Sequence, residues 1–144
     1  MFTIRQYRPE DYPVLVSWFR KWEWPAWPED ALTPYSYIIE YEGTPIMYSG
    51  FYKVIGSAVA KMTITIGDRH ASSRAKTKAL NELYEHIFER CKAEGVKYLW
   101  FSTGPDTKIL HKKLVKMGSM NVCEGTAYIC VKSINGDNVE FFSE

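Results

Sequence analysis

The chain has 144 residues, which is enough for one domain with a buried core. Apolar residues make up 46% of it and charged residues 24%, a balance that excludes a disordered chain, while the net charge of +1 excludes binding to nucleic acid through overall charge. The charge is unevenly placed, because residues 1–68 sum to −2, residues 69–116 to +6 and residues 117–144 to −3.

The first half of the chain predicts strands joined by short turns around one early helix. Apolar residues at helical spacing from Val14 to Phe19 indicate that helix, and Met62, Ile64 and Ile66 alternate with polar residues as in a strand. In chain order we expect a strand over 2–7, a helix to about 21, a Trp- and Pro-rich loop over 22–34, and strands over 35–42, 45–53 and 57–67.

The second half predicts two further helices and the remaining strands. An apolar stripe predicts a helix over 73–94 that ends at Gly95, and Asp106 or Thr107 caps another that stops at Gly118. Strands are expected over 96–103, 120–123 and 126–132, followed by a tail over 134–144. With no repeat or linker, we expect a single α+β domain over residues 1–144.

The ends of the chain and its cysteines indicate a cytoplasmic protein without a metal. The first residues lack the apolar stretch of a signal peptide, and no run approaches the roughly 20 residues of a membrane span. Three scattered cysteines indicate no disulfide framework, and no CxxC pair or His cluster indicates zinc. Cys91 and Cys130 are predicted to be core residues.

The approach to the helix over 73–94 has an unusual charge. Residues 69–79 contain Arg69, Arg74, Lys76 and Lys78, together with one histidine and no acid. A helix N-terminus carries partial positive charge and unpaired N–H groups, so basic residues there are unfavourable unless an anion is bound. The pattern favours a phosphate site, and a solvated first turn whose lysines serve solubility is the alternative.

The order of these elements resembles the GNAT family of acyl-CoA-dependent N-acyltransferases over about residues 2–133. The resemblance implies a mixed central sheet of about six to seven strands flanked by about three to four helices. In that family a strand pairs with the pantetheine arm of acetyl-CoA, and an Arg/Gln-x-x-Gly-x-Gly/Ala loop wraps the pyrophosphate. Arg74–Ala79 fits this loop, with Thr77 at a glycine position. The cofactor residues implied are Ile64, Thr65, Ile66, Arg69, Arg74, Ala75, Lys76, Thr77, Lys78 and Ala79.

Two departures from the family concern proton transfer. Members often carry a carboxylate on the central strand, whereas here the nearest acid is Asp68, just past it. Many also use a Tyr four residues before the glycine that ends the last helix, where this chain has Leu114. Asp68 and His111 are therefore the candidate catalytic residues.

The aromatic loop falls where the resemblance places the acceptor. Trp22, Trp24, Trp27 and Tyr35 are the candidate substrate-binding residues, because aromatic faces stack on rings or hold cations. The alternative is that the Trp residues cover the core. The loop and Leu32–Tyr35 resemble short phage-type members of the family.

Together these features predict an acetyl-CoA-dependent N-acetyltransferase that acts on a primary amine. The alternative is a weak or inactive GNAT-fold protein that binds a protein or nucleic acid through its Trp-rich loop. Aromatic residues beside a basic segment also leave a nucleotide or modified-base acceptor open. A homodimer is left open through Phe141 and Phe142 in the tail.

Overall fold

A computed structural model describes residues 1–103, 108–117, 120–123 and 128–134. The strands are β1 (Phe2–Gln6), β2 (Tyr35–Tyr41), β3 (Thr44–Lys53), β4 (Val59–Met62), β5 (Ile66–Gly67), β6 (Tyr98–Thr103), β7 (Met120–Cys123) and β8 (Tyr128–Ser133), and the helices are α1 (Tyr12–Lys21), α2 (Ser73–Ala93) and α3 (Lys108–Lys116). The chain divides into two compact units, the first formed by Met1–Tyr52 and Thr63–Ile87 and the second by Lys53–Met62 and the chain from Phe88 onward. The single domain over residues 1–144 stays a prediction.

The first unit is built on antiparallel strands. β1 pairs with β2, β2 with β3, and β3 with the short β5. Glu42 and Gly43 join β2 to β3 with φ of 49° and 80°, and positive φ at two successive residues matches the twist of a tight hairpin. The short turn expected between the strands over 35–42 and 45–53 is therefore confirmed.

Helices α1 and α2 each bury an apolar side. Leu15, Trp18 and Phe19 of α1 are at most 2% exposed and pack with Ile38 and the other buried residues of one cluster. Along α2, buried residues recur at helical spacing, namely Ala79, Leu83, Tyr84, Ile87, Phe88 and Cys91. The predicted apolar stripe is confirmed.

The strand predicted over 57–67 was wrong as a continuous element. The structure divides it into β4 and β5, and residues 63–65 lie outside both. Met62 and Thr63 are both buried, so the side-chain alternation of a regular strand fails at this step. The Thr63 N–H donates to the Gly50 carbonyl at 2.9 Å, which still ties the irregular segment to β3.

The second unit contains both kinds of strand pairing. β4 and β6 are parallel from Val59 opposite Tyr98 to Lys61 opposite Trp100, and β6–β8 and β8–β7 are antiparallel. With three α-helices and seven strands plus the two-residue β5 in the described part of the chain, the predicted α+β class with a mixed sheet is confirmed. The predicted features at Asp106, Thr107, Gly118, Thr126, 135–140 and Phe141-Phe142 lie outside the described residues.

Cys91 is a core residue, as predicted. It is 0% exposed, and burial raises the pKa of its thiol to about 12, so the thiol stays protonated at neutral pH. The Cys130 side chain lies outside the described part. Among the helices described, none is both long and apolar enough to cross a membrane.

Candidate functional site

The start of α2 leaves two backbone donors available for a ligand. The Ser72 hydroxyl accepts from the Ala75 N–H at 3.1 Å, and the Ser72 carbonyl accepts from the Lys76 N–H at 2.9 Å. The N–H groups of Ser73 and Arg74 have no partner within the described residues, and the first turn contains no acid. Such a helix start suits an anion.

The segment that matches the pyrophosphate-loop pattern lies inside the helix predicted over 73–94. Arg74–Ala79 forms the first turns of α2, so the residues that approach the helix start are 68–72. Ala79 is 0% exposed and belongs to the core, whereas Thr77 is exposed on the helix surface. The start predicted for this helix is confirmed, since α2 begins at Ser73, where the Ser72 hydroxyl caps it.

Two of the four basic residues lie against Trp22. The Arg69 guanidinium is 5.3 Å from the centre of the indole ring and the Lys76 ammonium is 5.7 Å from it. Arg69 also donates to the Lys21 carbonyl at 2.8 Å, and Lys76 donates to the Arg69 carbonyl at 3.4 Å. We call Trp22, Arg69 and Lys76 the Trp22 face.

The other two basic residues lie on a different side of the helix. Arg74 and Lys78 line a groove of about 690 Å³ with Phe2 and Tyr41, and the Lys78 ammonium is 5.2 Å from the Phe2 ring. Residues four apart share a side of a helix, whereas Lys76 falls between them on the opposite side. We call Phe2, Tyr41, Arg74 and Lys78 the Phe2 face.

Among the described residues, the basic side chains of both faces lack ion pairs, although Glu82 also lines the groove of the Phe2 face. Within the part of the chain that the structure describes, Arg69, Arg74, Lys76 and Lys78 form no ion pair with a carboxylate. The basic cluster predicted from the sequence is therefore open to an external anion on either face.

The irregular segment before β5 offers backbone donors near the same helix start. In the described residues, no backbone acceptor meets the N–H groups of Ile64 and Thr65. The side chains of this segment pack in the interior: Ile66 is 2% exposed, and Ile64 packs against the core cluster. The backbone of Ile64 and Thr65 is thus suited to pair with a ligand, whereas Ile66 lies in β5 opposite Tyr48 of β3.

A chain of hydroxyls fixes this segment. The Thr65 hydroxyl is 2.8 Å from that of Ser49 and 2.7 Å from that of Tyr84. Burial raises the pKa of Tyr84 to about 12, so its hydroxyl stays neutral and serves as a hydrogen-bonding group. Sequence reasoning missed Ser49 and Tyr84, since buried polar partners from separate elements leave no local signal.

Asp68, a predicted catalytic residue, holds the loop before α2. Its carboxylate accepts from the His70 N–H at 3.0 Å and lies 3.6 Å from the Lys21 ammonium. His111, the other candidate, is part of α3, but its side chain lies outside the described part. Leu114 is 1% exposed and therefore packs in the interior.

The aromatic residues of the predicted acceptor site are half-buried. Trp22, Trp24 and Trp27 all pack against the core cluster, which supports the alternative that they cover the core. Trp22 and Trp24 stack with ring centres 5.7 Å apart. Tyr35 stacks on Phe51 at 4.7 Å.

The described part of the chain contains no candidate metal centre. Among the residues described, no three His, Cys, Asp or Glu side chains lie close enough together to hold an ion.

The chain is similar to known proteins in structure, whereas its sequence matches no family model and no curated protein. Among solved structures, the ribosomal-protein-S18-alanine N-acetyltransferase from Escherichia coli is similar with a TM-score of 0.75 and 17% identity, over 98% of this chain and 100% of that one.

Two further structures are similar over most of this chain. An acetyltransferase of the GNAT family from Staphylococcus aureus Mu50 has a TM-score of 0.74 at 7% identity, covering 93% of this chain and 99% of that one. The N-acetylglutamate synthase from Neisseria gonorrhoeae, complexed with coenzyme A and N-acetyl-glutamate, has a TM-score of 0.75 at 14% identity over 93% of this chain, which spans 35% of that one. The chain has the fold of the GNAT N-acetyltransferases.

Proposed function

We propose that the protein is an acetyl-CoA-dependent N-acetyltransferase that transfers an acetyl group to a primary amine. The observation that carries the proposal is the start of α2, where the free N–H groups of Ser73 and Arg74 lie next to basic side chains that have no carboxylate partners. The fold is that of N-acetyltransferases, and one similar structure is complexed with coenzyme A. Acetyl-CoA carries the pyrophosphate that such a helix start suits.

The cofactor is proposed to follow the chain from the irregular segment to the helix. The backbone of Ile64 and Thr65 would pair with the amide groups of pantetheine, while Ile66, which is paired with β3, would support the segment. The start of α2 would then receive the pyrophosphate, with contacts drawn from the backbone or side chains of Arg69, Arg74, Ala75, Lys76, Thr77 and Lys78. Ala79 contributes by packing, since it is fully buried.

The reaction is attack of a neutral amine on the thioester carbonyl. A C–N bond forms, the C–S bond breaks, coenzyme A leaves as a thiolate, and the proton lost by the amine nitrogen balances that charge. A free N–H at Ile64 or Thr65 is suited to stabilise the oxyanion, and placing amine and thioester side by side supplies further acceleration. Proton transfer is the weakest part of the site. Asp68 and His111 are the proposed groups, and Asp68 is held by the His70 N–H at 3.0 Å and lies 3.6 Å from the Lys21 ammonium.

The acceptor amine is proposed to meet the aromatic loop. Trp24, Trp27 and Tyr35 are half-buried, so part of each ring is accessible to a substrate or a cation. We also propose that the protein is a short phage-type member of the family. Its proposed location is the cytoplasm, which is that of the host cell if the protein is phage-encoded.

A catalytically weak GNAT-fold binding protein is the second candidate. Two observations favour it: Leu114 is buried where many relatives carry Tyr, and Asp68 is engaged with Lys21 and the His70 N–H. Absence of a general base or acid costs about 100-fold or more in rate. Binding of acetyl-CoA without turnover of any amine would favour this candidate.

Titration calorimetry with acetyl-CoA, followed by thiol-release assays, tests the proposal. We expect saturable binding of one acetyl-CoA per chain, and release of free thiol on adding primary amines such as peptides, polyamines or amino sugars. ATP serves as the control ligand, since it carries phosphates without pantetheine. Absence of acetyl-CoA binding at millimolar concentration would contradict the proposal.

A further inference from the structure

We propose that Trp22 is a positioning residue of the cofactor site, which holds Arg69 and Lys76 in place for the pyrophosphate. This inference rests on the proposed function. It moves Trp22 from the acceptor side, where the sequence placed it, to the phosphate side. Trp22 does not touch the reacting atoms in this account and acts through the two cations.

The indole ring is fixed in place by two contacts. Its Nε1–H donates to the Gly67 carbonyl at 2.9 Å, which ties it to the end of β5. Trp24 stacks on it with planes 25° apart and centres separated by 5.7 Å. A ring restrained in this way offers a fixed surface for a cation.

The two cations come from either side of the helix start. Arg69 precedes α2 and Lys76 lies one turn into it, and both charged groups are within 5.7 Å of the ring centre. Free Arg and Lys side chains lose rotamer freedom when they bind a ligand, so holding them beforehand reduces that loss. Lys76 is half-buried here, while Lys78 on the Phe2 face is exposed.

The position along the chain favours the Trp22 face for the pyrophosphate. A ligand paired with the backbone of Ile64 and Thr65 next reaches the end of β5 at Gly67, whose carbonyl accepts from Trp22, and then Arg69. The Phe2 face instead contacts β1 through Phe2, a strand far from residues 64–66 in the sheet order because β2 and β3 lie between. The Trp22 face is thus the continuous path from pantetheine to phosphate.

The experiment compares Trp22→Phe with Tyr12→Phe. Phenylalanine keeps an aromatic ring in both variants, and it removes the hydrogen bond of Trp22 to the Gly67 carbonyl or that of Tyr12 to the Trp27 carbonyl, which is 2.8 Å long. Tyr12 belongs to α1 and to neither cationic face, so its variant is the matched control. Calorimetry with acetyl-CoA, S-acetyl-pantetheine and inorganic pyrophosphate measures each part of the ligand, and thermal unfolding reports stability.

We expect Trp22→Phe to weaken acetyl-CoA and pyrophosphate binding by about five- to tenfold, and to leave the affinity for S-acetyl-pantetheine unchanged. Tyr12→Phe should leave all three affinities within about twofold. The slope of affinity against salt should be shallower in Trp22→Phe, since fewer ordered cations meet the phosphates. A purely structural role would lower both thioester affinities alike.

The outcomes separate this inference from the proposed function. Equal acetyl-CoA affinity in Trp22→Phe and wild type would overturn the inference and leave the function standing. Pyrophosphate binding that depends on Trp22, without any acetyl-CoA binding, would support the positioning role and contradict the function. If Trp22→Phe lost as much affinity for S-acetyl-pantetheine as for acetyl-CoA, the inference would be overturned. Wild-type protein that binds neither acetyl-CoA nor pyrophosphate would also overturn it.

Discussion

The start of α2 presents two cationic faces that look alike and are built differently. Each has two basic side chains and an aromatic ring within 6 Å of a cation. Trp22 is hydrogen-bonded to the Gly67 carbonyl and stacked on Trp24, whereas Phe2 of β1 contacts the Tyr41 ring of β2 and has no side-chain hydrogen-bonding group. One stretch of sequence supplies all four cations, and the turn of the helix separates them. A run of basic residues is therefore not one site, and the ring beside each pair decides how firmly its charges are held.

The largest expected effect comes from removing the cations of one face at a time. We expect the double variant Arg69→Ala with Lys76→Ala to weaken acetyl-CoA binding by about 50-fold, because hydrogen bonds to charged groups contribute about 1.5–3 kcal/mol each in favourable settings and less when exposed. Arg74→Ala with Lys78→Ala removes the same charge and is the matched control, with an expected loss within about fivefold. Calorimetry at one fixed salt concentration measures both. Equal losses would show that the total charge matters and the face does not.

The aromatic rings should separate the two faces in a different way. Trp22→Ala removes the ring and its hydrogen bond, and we expect about a tenfold loss of acetyl-CoA affinity. Phe2→Ala removes the contact with Tyr41, whose ring centre is 5.0 Å away, and should cost about 1–2 kcal/mol of stability with little change in affinity. Chemical denaturation and calorimetry on the same samples check both. An affinity loss in Phe2→Ala as large as in Trp22→Ala would show that the two faces do not differ in their role in acetyl-CoA binding.

A smaller effect concerns the strand that carries the Phe2 face. Arg5 of β1 donates to both carboxylate oxygens of Asp11, at 2.7 and 2.8 Å, and this hydrogen bonding holds the pKa of Asp11 below its usual range. A lowered folded-state pKa stabilises the protein above the unfolded value, near 4, and that stabilisation is lost as pH falls below it. Denaturation curves between pH 7 and pH 3 should show this loss in wild type.

Asp11→Asn is the corresponding variant. At pH 7 it should unfold more easily by about 2 kcal/mol, since Arg5 loses a charged partner in a mostly buried site. Its stability should also depend less on pH below 4. Acetyl-CoA affinity of the folded variant should match wild type, because Asp11 contacts neither cationic pair. Unchanged acid sensitivity would contradict the role given to this ion pair.

Much of the fold was predictable because the signals are local. Helical spacing from Ala79 to Cys91 indicated α2, and Glu42-Gly43 indicated the hairpin between β2 and β3. The break at 63–65 was not predictable, since Met62–Ile66 alternates in sequence and only the burial of both Met62 and Thr63 disrupts it.

The sequence predicted the unusual positive charge at the site but not the arrangement of its side chains. The sequence indicated an anion at the start of α2. The helical spacing of Arg74, Lys76 and Lys78 also implies that Lys76 lies on a different side of the helix from the other two. The partner of each face comes from a distant segment, Trp22 from the loop after α1 and Phe2 from β1, and sequence spacing carries no information about those contacts. The roles of Ser49 and Tyr84 were hidden for the same reason.

A crystal structure with acetyl-CoA bound tests the central claim most directly. The account predicts the pyrophosphate within hydrogen-bonding distance of the Ser73 and Arg74 N–H groups, with Arg69 and Lys76 on it and Trp22 still bound to the Gly67 carbonyl. A pyrophosphate in the groove beside Phe2 and Tyr41, or crystals that stay free of cofactor at saturating acetyl-CoA, would contradict it.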